Sequence, residues 1–226
     1  MASRSSRRPR DPEATREAIL DAAHRLLARS GPEAVSLSEV ARFAGVNRGT
    51  AYQHFETREG LIEATVAWAS EKLFRAAFGD PATIGERRVE EVDVAAMTDR
   101  LTGFAMDNPE LCRVWLLQVL ASPHPASDKF LGEYIGSLKR FAATELAQPG
   151  VDAEVLSVLT LAGTFLWPVW AATHAGHAGE RAGLAERFAR EVLRLSLHGS
   201  MREASFPEIA ERLAGKQKSI AMAAPG

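Results

Sequence analysis

The chain has 226 residues, 46% of them hydrophobic and 25% charged, which is apolar material for one large or two small cores. A formal charge of -2 and a pI near 6.3 argue against binding a polyanion by overall charge alone. The one cysteine, Cys112, excludes an intramolecular disulfide and fits a reducing cytoplasm; Leu111 and Val114 beside it indicate a packed thiol.

Charge is unevenly placed. Residues 1–10, MASRSSRRPR, carry Arg4, Arg7, Arg8 and Arg10 and no acid, a basic arm that reads either as a solvated terminus or as a nucleic-acid contact. No apolar run follows these charges, so a secretory signal is not expected. The first helix opens at Asp11-Pro12-Glu13, with Asp11 as N-cap, and buries a stripe of Ile19, Ala23, Leu26 and Leu27 before Ser30-Gly31-Pro32 stops it. Ser36-Leu37-Ser38-Glu39 then reads as a capping box, in which Ser36 accepts from the Glu39 amide and Glu39 reaches back, with Val35 and Val40 as staple. Val40, Ala41 and Ala44 face inward, and Gly45 ends this second helix after about two turns. Asn47 caps a third helix from Arg48, and Thr57 caps a fourth from about Arg58 to Phe78.

Beyond Gly79-Asp80-Pro81, helical periodicity continues near 86–107, 109–121, 127–147, 152–175, 180–200 and 206–214. No segment alternates with the period of a strand, so the fold class is all-α. The organisation expected is a basic arm (1–10), a three-helix unit (11–57), a linking helix (58–80), a larger helical domain (81–214) and a flexible tail (215–226). Val155 to Ala172 holds eighteen residues without a charge, close to a membrane span. Its Ser, Thr, Gly and Pro content, and the lack of flanking Lys or Arg clusters, favour a helix buried on all sides of a protein core.

GVNRGTAYQHF, residues 45–55, has little to bury. Ala51 and Phe55 lie four apart and turn toward the first two helices; Arg48, Gly49, Tyr52 and Gln53 share the opposite face. Two helices joined by a tight glycine turn form a helix-turn-helix, whose second helix enters the DNA major groove. There Arg48 suits a guanine edge, Gln53 an adenine and the Thr50 methyl a thymine methyl. The Tyr52 hydroxyl, His54 and Arg58 suit phosphate oxygens, as do Ser36 and Ser38 at the start of the second helix. An arginine arm before such a domain suits the adjacent minor groove through Arg7, Arg8 and Arg10.

The stretch AILDAAHRLLARSGPEAVSLSEVARFAGVNRGTAYQHFETREGLI, Ala18 to Ile62, resembles the DNA-binding domain of the TetR family of bacterial transcriptional regulators. By that resemblance Thr50, Tyr52 and His54 match the family's DNA contacts, and Arg48, Gly49 and Gln53 occupy its sequence-choosing positions. Arg58 stands where the family usually has Lys, and Ala51 where it usually has Leu or Ile. The resemblance further implies a helical second domain that dimerises and holds a small-molecule effector, giving a homodimer on an inverted-repeat operator in double-stranded DNA. It also implies that the uncharged helix and the one bearing Leu184, Phe188, Val192, Leu195 and Leu197 pair with their symmetry mates.

Candidate effector-binding residues are Met97, Phe104, Trp115, Phe165, Trp167 and Trp170, an aromatic and Met-rich set suited to an apolar or flat aromatic ligand. Met106, Phe130 and Tyr134 belong to the same composition, and Pro168 is expected to kink its helix. His174 and His177 at spacing three make a weak metal signal, and no metal or cofactor is expected. No nucleophile with a base, phosphate loop or metal motif is present, which weighs against an enzyme. The expected protein is a cytoplasmic repressor released from DNA by its ligand; a constitutive or activating DNA binder, and an enzyme or membrane-associated helical protein, are the competing readings.

Overall fold

The computed structural model describes residues 11–80, 88–174 and 178–223. Among them are ten α-helices and no strand: α1 (Pro12–Ser30), α2 (Leu37–Ala44), α3 (Arg48–His54), α4 (Arg58–Phe78), α5 (Val94–Asp107), α6 (Pro109–Leu120), α7 (Lys129–Ala142), α8 (Ala153–His174), α9 (Ala178–Gly199) and α10 (Pro207–Ala223). The chain divides into two compact units, 1–68 and 69–226, with the boundary inside α4. The arm with Arg7, Arg8 and Arg10, and His177, lie outside the described residues.

In the first unit the caps expected from sequence set the helix ends. Asp11 accepts from the Glu13 amide at 3.0 Å, Ser36 from that of Glu39 at 3.2 Å, Asn47 from that of Thr50 at 2.7 Å and Thr57 from that of Gly60 at 3.0 Å. Glu39 departs from the expected box: its carboxylate pairs with Arg42 Nη2 at 2.8 Å. Gly45 adopts φ 65°, ψ 31°, the left-handed conformation that turns α2 into α3, and its neighbour Val46 donates back to the Ala41 carbonyl at 3.0 Å. Ile19, Ala23, Val35, Val40, Ala51 and Leu61 are buried almost completely, so α1, α2 and α3 close over one small core.

The second unit is built around α8, which packs against α5, α6, α7 and α9. Its inward stripe is Ala153, Ser157, Leu161, Thr164, Phe165, Pro168 and Ala171, spaced three and four apart. Ser157, Thr160 and Thr164 donate to the carbonyls one turn back at 2.6–2.8 Å, so these hydroxyls pair within the helix itself. Trp115 meets Phe130 and Phe165 edge-on at 5.2 and 5.5 Å, while Phe141, Leu193, Leu197, Phe206 and Ile209 join a separate cluster where α10 closes on α9.

Four sequence expectations change. The uncharged helix is not enclosed: Val155, Leu159, Leu166 and Trp170 are exposed, because one stripe alone is covered within the chain. The first helix of the large domain begins later, at Val94, since Asp93 caps it by accepting from the Ala96 amide at 2.8 Å and a 3-10 turn occupies Val89–Glu91. α7 stops at Ala142 because the next residues pair with 200–202: Gln148 N donates to Ser200 O and Arg202 N to Leu146 O, each at 2.8 Å. α10 continues through Ala223, past the end near 214 expected for the last helix; the segment KQKSIAMA consists mostly of good helix formers.

Candidate functional site

The outer face of α3 is assembled by its own cap. The Asn47 carboxamide oxygen accepts both the Thr50 amide, at 2.7 Å, and the Thr50 hydroxyl, at 3.0 Å. The Thr50 hydroxyl proton is thus spent inside the helix, leaving its oxygen as an acceptor and its methyl as the outward apolar group. Ala51 and Phe55 are buried, whereas Arg48, Gly49, Tyr52 and Gln53 are exposed and His54 is half-buried. Arg48 Nη2 donates to the Tyr52 hydroxyl at 3.3 Å with its guanidinium over the Tyr52 ring at 5.3 Å from the centroid, which leaves the phenolic proton able to donate outward. Ser36 and Ser38 are exposed at the start of α2, where helix amides carry partial positive charge.

Arg58 is differently placed. Its Nε donates to the Val35 carbonyl at 3.0 Å, Nη2 to the Pro32 carbonyl at 2.6 Å, and Nη1 faces Glu59 at 3.3 Å. It ties the start of α4 to the segment leading into α2, and so fixes where Ser36 and Ser38 stand. This function was not visible in sequence, because the partners are backbone carbonyls more than twenty residues away. Phe43 is exposed on α2 beneath the Arg42 guanidinium at 4.7 Å.

The six residues expected to hold an effector occupy four places. Trp115 and Phe165 are sealed in the aromatic core, and Trp115 Nε1 donates to Asp128 at 3.2 Å. Trp167 and Trp170 stack at 4.6 Å in a surface column that runs from Phe188 to His174. Phe104 is half-buried on α5. Of the six, Met97 alone lines a partly open cavity of about 440 Å³ bordered by α5, α7, α8, α9 and the last turn of α4. Aliphatic side chains and Phe78, Phe141 and Phe206 form most of its wall; Arg100, Glu133, Tyr134, Arg140 and Thr160 supply polar groups that the sequence reading did not group together. Tyr134 is buried, and burial pushes its phenol up to about 12. No cluster of His, Cys, Asp and Glu suited to a metal occurs among the described residues.

Residues 19–65 match the family profile described as bacterial regulatory proteins, tetR family. An uncharacterized HTH-type transcriptional regulator of Mycobacterium tuberculosis is 38% identical over 63 residues, covering 28% of this chain and 31% of that protein. An HTH-type transcriptional repressor of the same organism is 30% identical over 125 residues, covering 55% of this chain and 66% of that one. The chain thus spans 31% and 66% of the length of these two curated relatives. The crystal structure of a gamma-butyrolactone receptor aligns with TM-score 0.60 and 21% identity over 91% of this chain and 98% of its own, a likeness of fold.

Proposed function

We infer, for a chain whose residues 19–65 belong to the tetR family of bacterial regulatory proteins, that it is a sequence-specific DNA-binding transcriptional regulator acting as an effector-released repressor. The observation that carries the reading is the face of α3: Arg48, Gly49, Tyr52 and Gln53 stand exposed on a helix whose other side is buried through Ala51 and Phe55. Arg48 and Gln53 read base edges, the Thr50 methyl meets a thymine, and Ser36, Ser38, Tyr52 and His54 hold phosphates. Arg58, its donors engaged with carbonyls, acts by positioning α2.

The exposed apolar stripe of α8, with Leu195 of α9, is proposed as the surface that a second copy covers. A two-fold dimer presents two reading helices about one DNA turn apart, so the operator is an inverted repeat. The cavity in the second unit is proposed to receive the effector, and α4, which belongs to both units and lines the cavity with Ala77 and Phe78, to carry its effect. Selection of bound DNA from a random library tests the reading. Recovery of an inverted repeat supports it; no enrichment over input, at low salt, refutes it.

A further inference from the structure

The cavity proposed as the effector site is itself amphipathic. Of its lining residues Phe78, Phe141, Met201 and Phe206 are buried, whereas Glu91, Asp93, Arg100 and Arg140 are exposed, so the charged side chains stand on its open side. Those charges are not equally matched. Arg140 Nη2 donates to Glu133 at 2.6 Å and to Ser137 at 2.9 Å, an ion pair within α7. Asp93 caps α5 by accepting from the Ala96 amide at 2.8 Å, and Glu91 accepts from the Arg88 amide at 3.4 Å. Both carboxylates thus sit at the start of a helical turn, where backbone amides carry partial positive charge. Asp93 also lies close enough to Arg212 to stabilise that guanidinium, behind the larger effect of Asp99.

Arg100 has no such match. Its Nη2 donates to the Ala77 carbonyl at 3.3 Å, one of the last carbonyls of α4, and among the described residues no carboxylate lies within ion-pair distance of it. A guanidinium carries several N–H donors in a planar fork, so most of them remain for an outside acceptor, and a carboxylate answers both the charge and the fork. Met97 precedes Arg100 by about one helical turn and lines the same cavity, so a group held at Arg100 has apolar wall beside it. We propose that the cavity takes an amphipathic monocarboxylate, its acid group paired with Arg100 at the mouth and its aliphatic body against Met97, Leu138, Leu156, Val192 and Phe206. This names a ligand class for the effector site and rests on that reading of the cavity. A neutral amphiphile would leave Arg100 without a counter-ion. A cationic one would bring its charge to a mouth that already holds two guanidinium groups, and compete with backbone amides for Glu91 and Asp93.

Calorimetric titration of the purified full chain at neutral pH with decanoate, decanol and decyltrimethylammonium tests this. Decanoate should bind once per chain and about tenfold more tightly than decanol, the order of one hydrogen bond between charged groups at a partly open site, with the ammonium weakest. Arg100→Met should remove the advantage of decanoate while leaving decanol affinity unchanged, and Arg100→Lys, which keeps the charge, should restore part of it. Arg100→Gln, which retains a donor for the Ala77 carbonyl, serves if the methionine variant fails to fold. Decanol or the ammonium binding as tightly as decanoate, or a preference for decanoate that survives Arg100→Met or Arg100→Gln, would overturn the proposal while leaving an effector cavity in place. Binding of none of the three would overturn both.

Discussion

At α3 one carboxamide governs the chemistry of the whole reading face. Asn47 accepts two protons from Thr50, which fixes the first turn and turns the threonine methyl outward. Asn47→Ala should therefore cost about 1 kcal/mol of stability as a lost cap, read as a lower midpoint in denaturant, and weaken DNA binding beyond what unfolding explains. Tyr52 keeps its proton for an outside acceptor because Arg48 supplies the internal one. Tyr52→Phe is expected to weaken all operators alike, whereas Arg48→Ala should relax preference at one base position; parallel losses from Arg48→Ala on every sequence in a binding array would contradict that assignment. Tyr134 gives a pH signature. The unfolded phenol ionises near 10 and the folded one near 12, so the neutral form is favoured by folding. Stability should be intact below pH 10 and fall as pH rises through that interval, with Tyr134→Phe flattening the loss in a thermal scan. The residues of the DNA face were legible because caps and turns are local and leave short signatures. Arg58 was not, since its partners, the Val35 and Pro32 carbonyls, are set by tertiary packing.

Among the elements, α8 shows most clearly what periodicity conveys and what it omits. An uncharged run marks a helix, but composition alone does not distinguish burial by the same chain from burial by another; the structure separates an inward stripe through Leu161 and Phe165 from an outward one through Val155, Leu159 and Leu166. Exposed apolar side chains at this spacing form a continuous stripe on one helix face, unlike the scattered apolar residues usual on a monomer. Leu159, 66% exposed, is the most open of them. Leu159→Glu should convert a dimer to a monomer by light scattering, because a buried unpaired carboxylate at the proposed interface is costly. Leu117→Glu, at a comparably exposed site on α6, should leave the assembly unchanged. Helix ends were less legible than helix cores: α7 gives way to backbone pairing with 200–202, and α10 runs on by intrinsic propensity where no apolar face announced it.

For the whole molecule, a protein of net charge -2 that binds DNA must do so through where its charges lie. Four arginines fall within residues 1–10 and none of the acids does, while Arg48 stands on the α3 face. Counterion release then makes affinity fall steeply with salt, by a slope that counts the phosphates neutralised by cationic side chains. Tyr52 and His54 contacts contribute affinity with little slope when the side chain is neutral, whereas arginine contacts contribute both. Deleting residues 2–10 should lower the magnitude of the salt slope by about one for each arm arginine that reaches a phosphate in each half-site, and leave the midpoint of thermal unfolding unchanged. Tyr52→Phe should reduce affinity at a single salt concentration with the slope preserved. Measuring both variants across a salt series separates the two contributions: an unchanged slope after deletion would remove the arm from the interface and leave recognition to α2 and α3 alone.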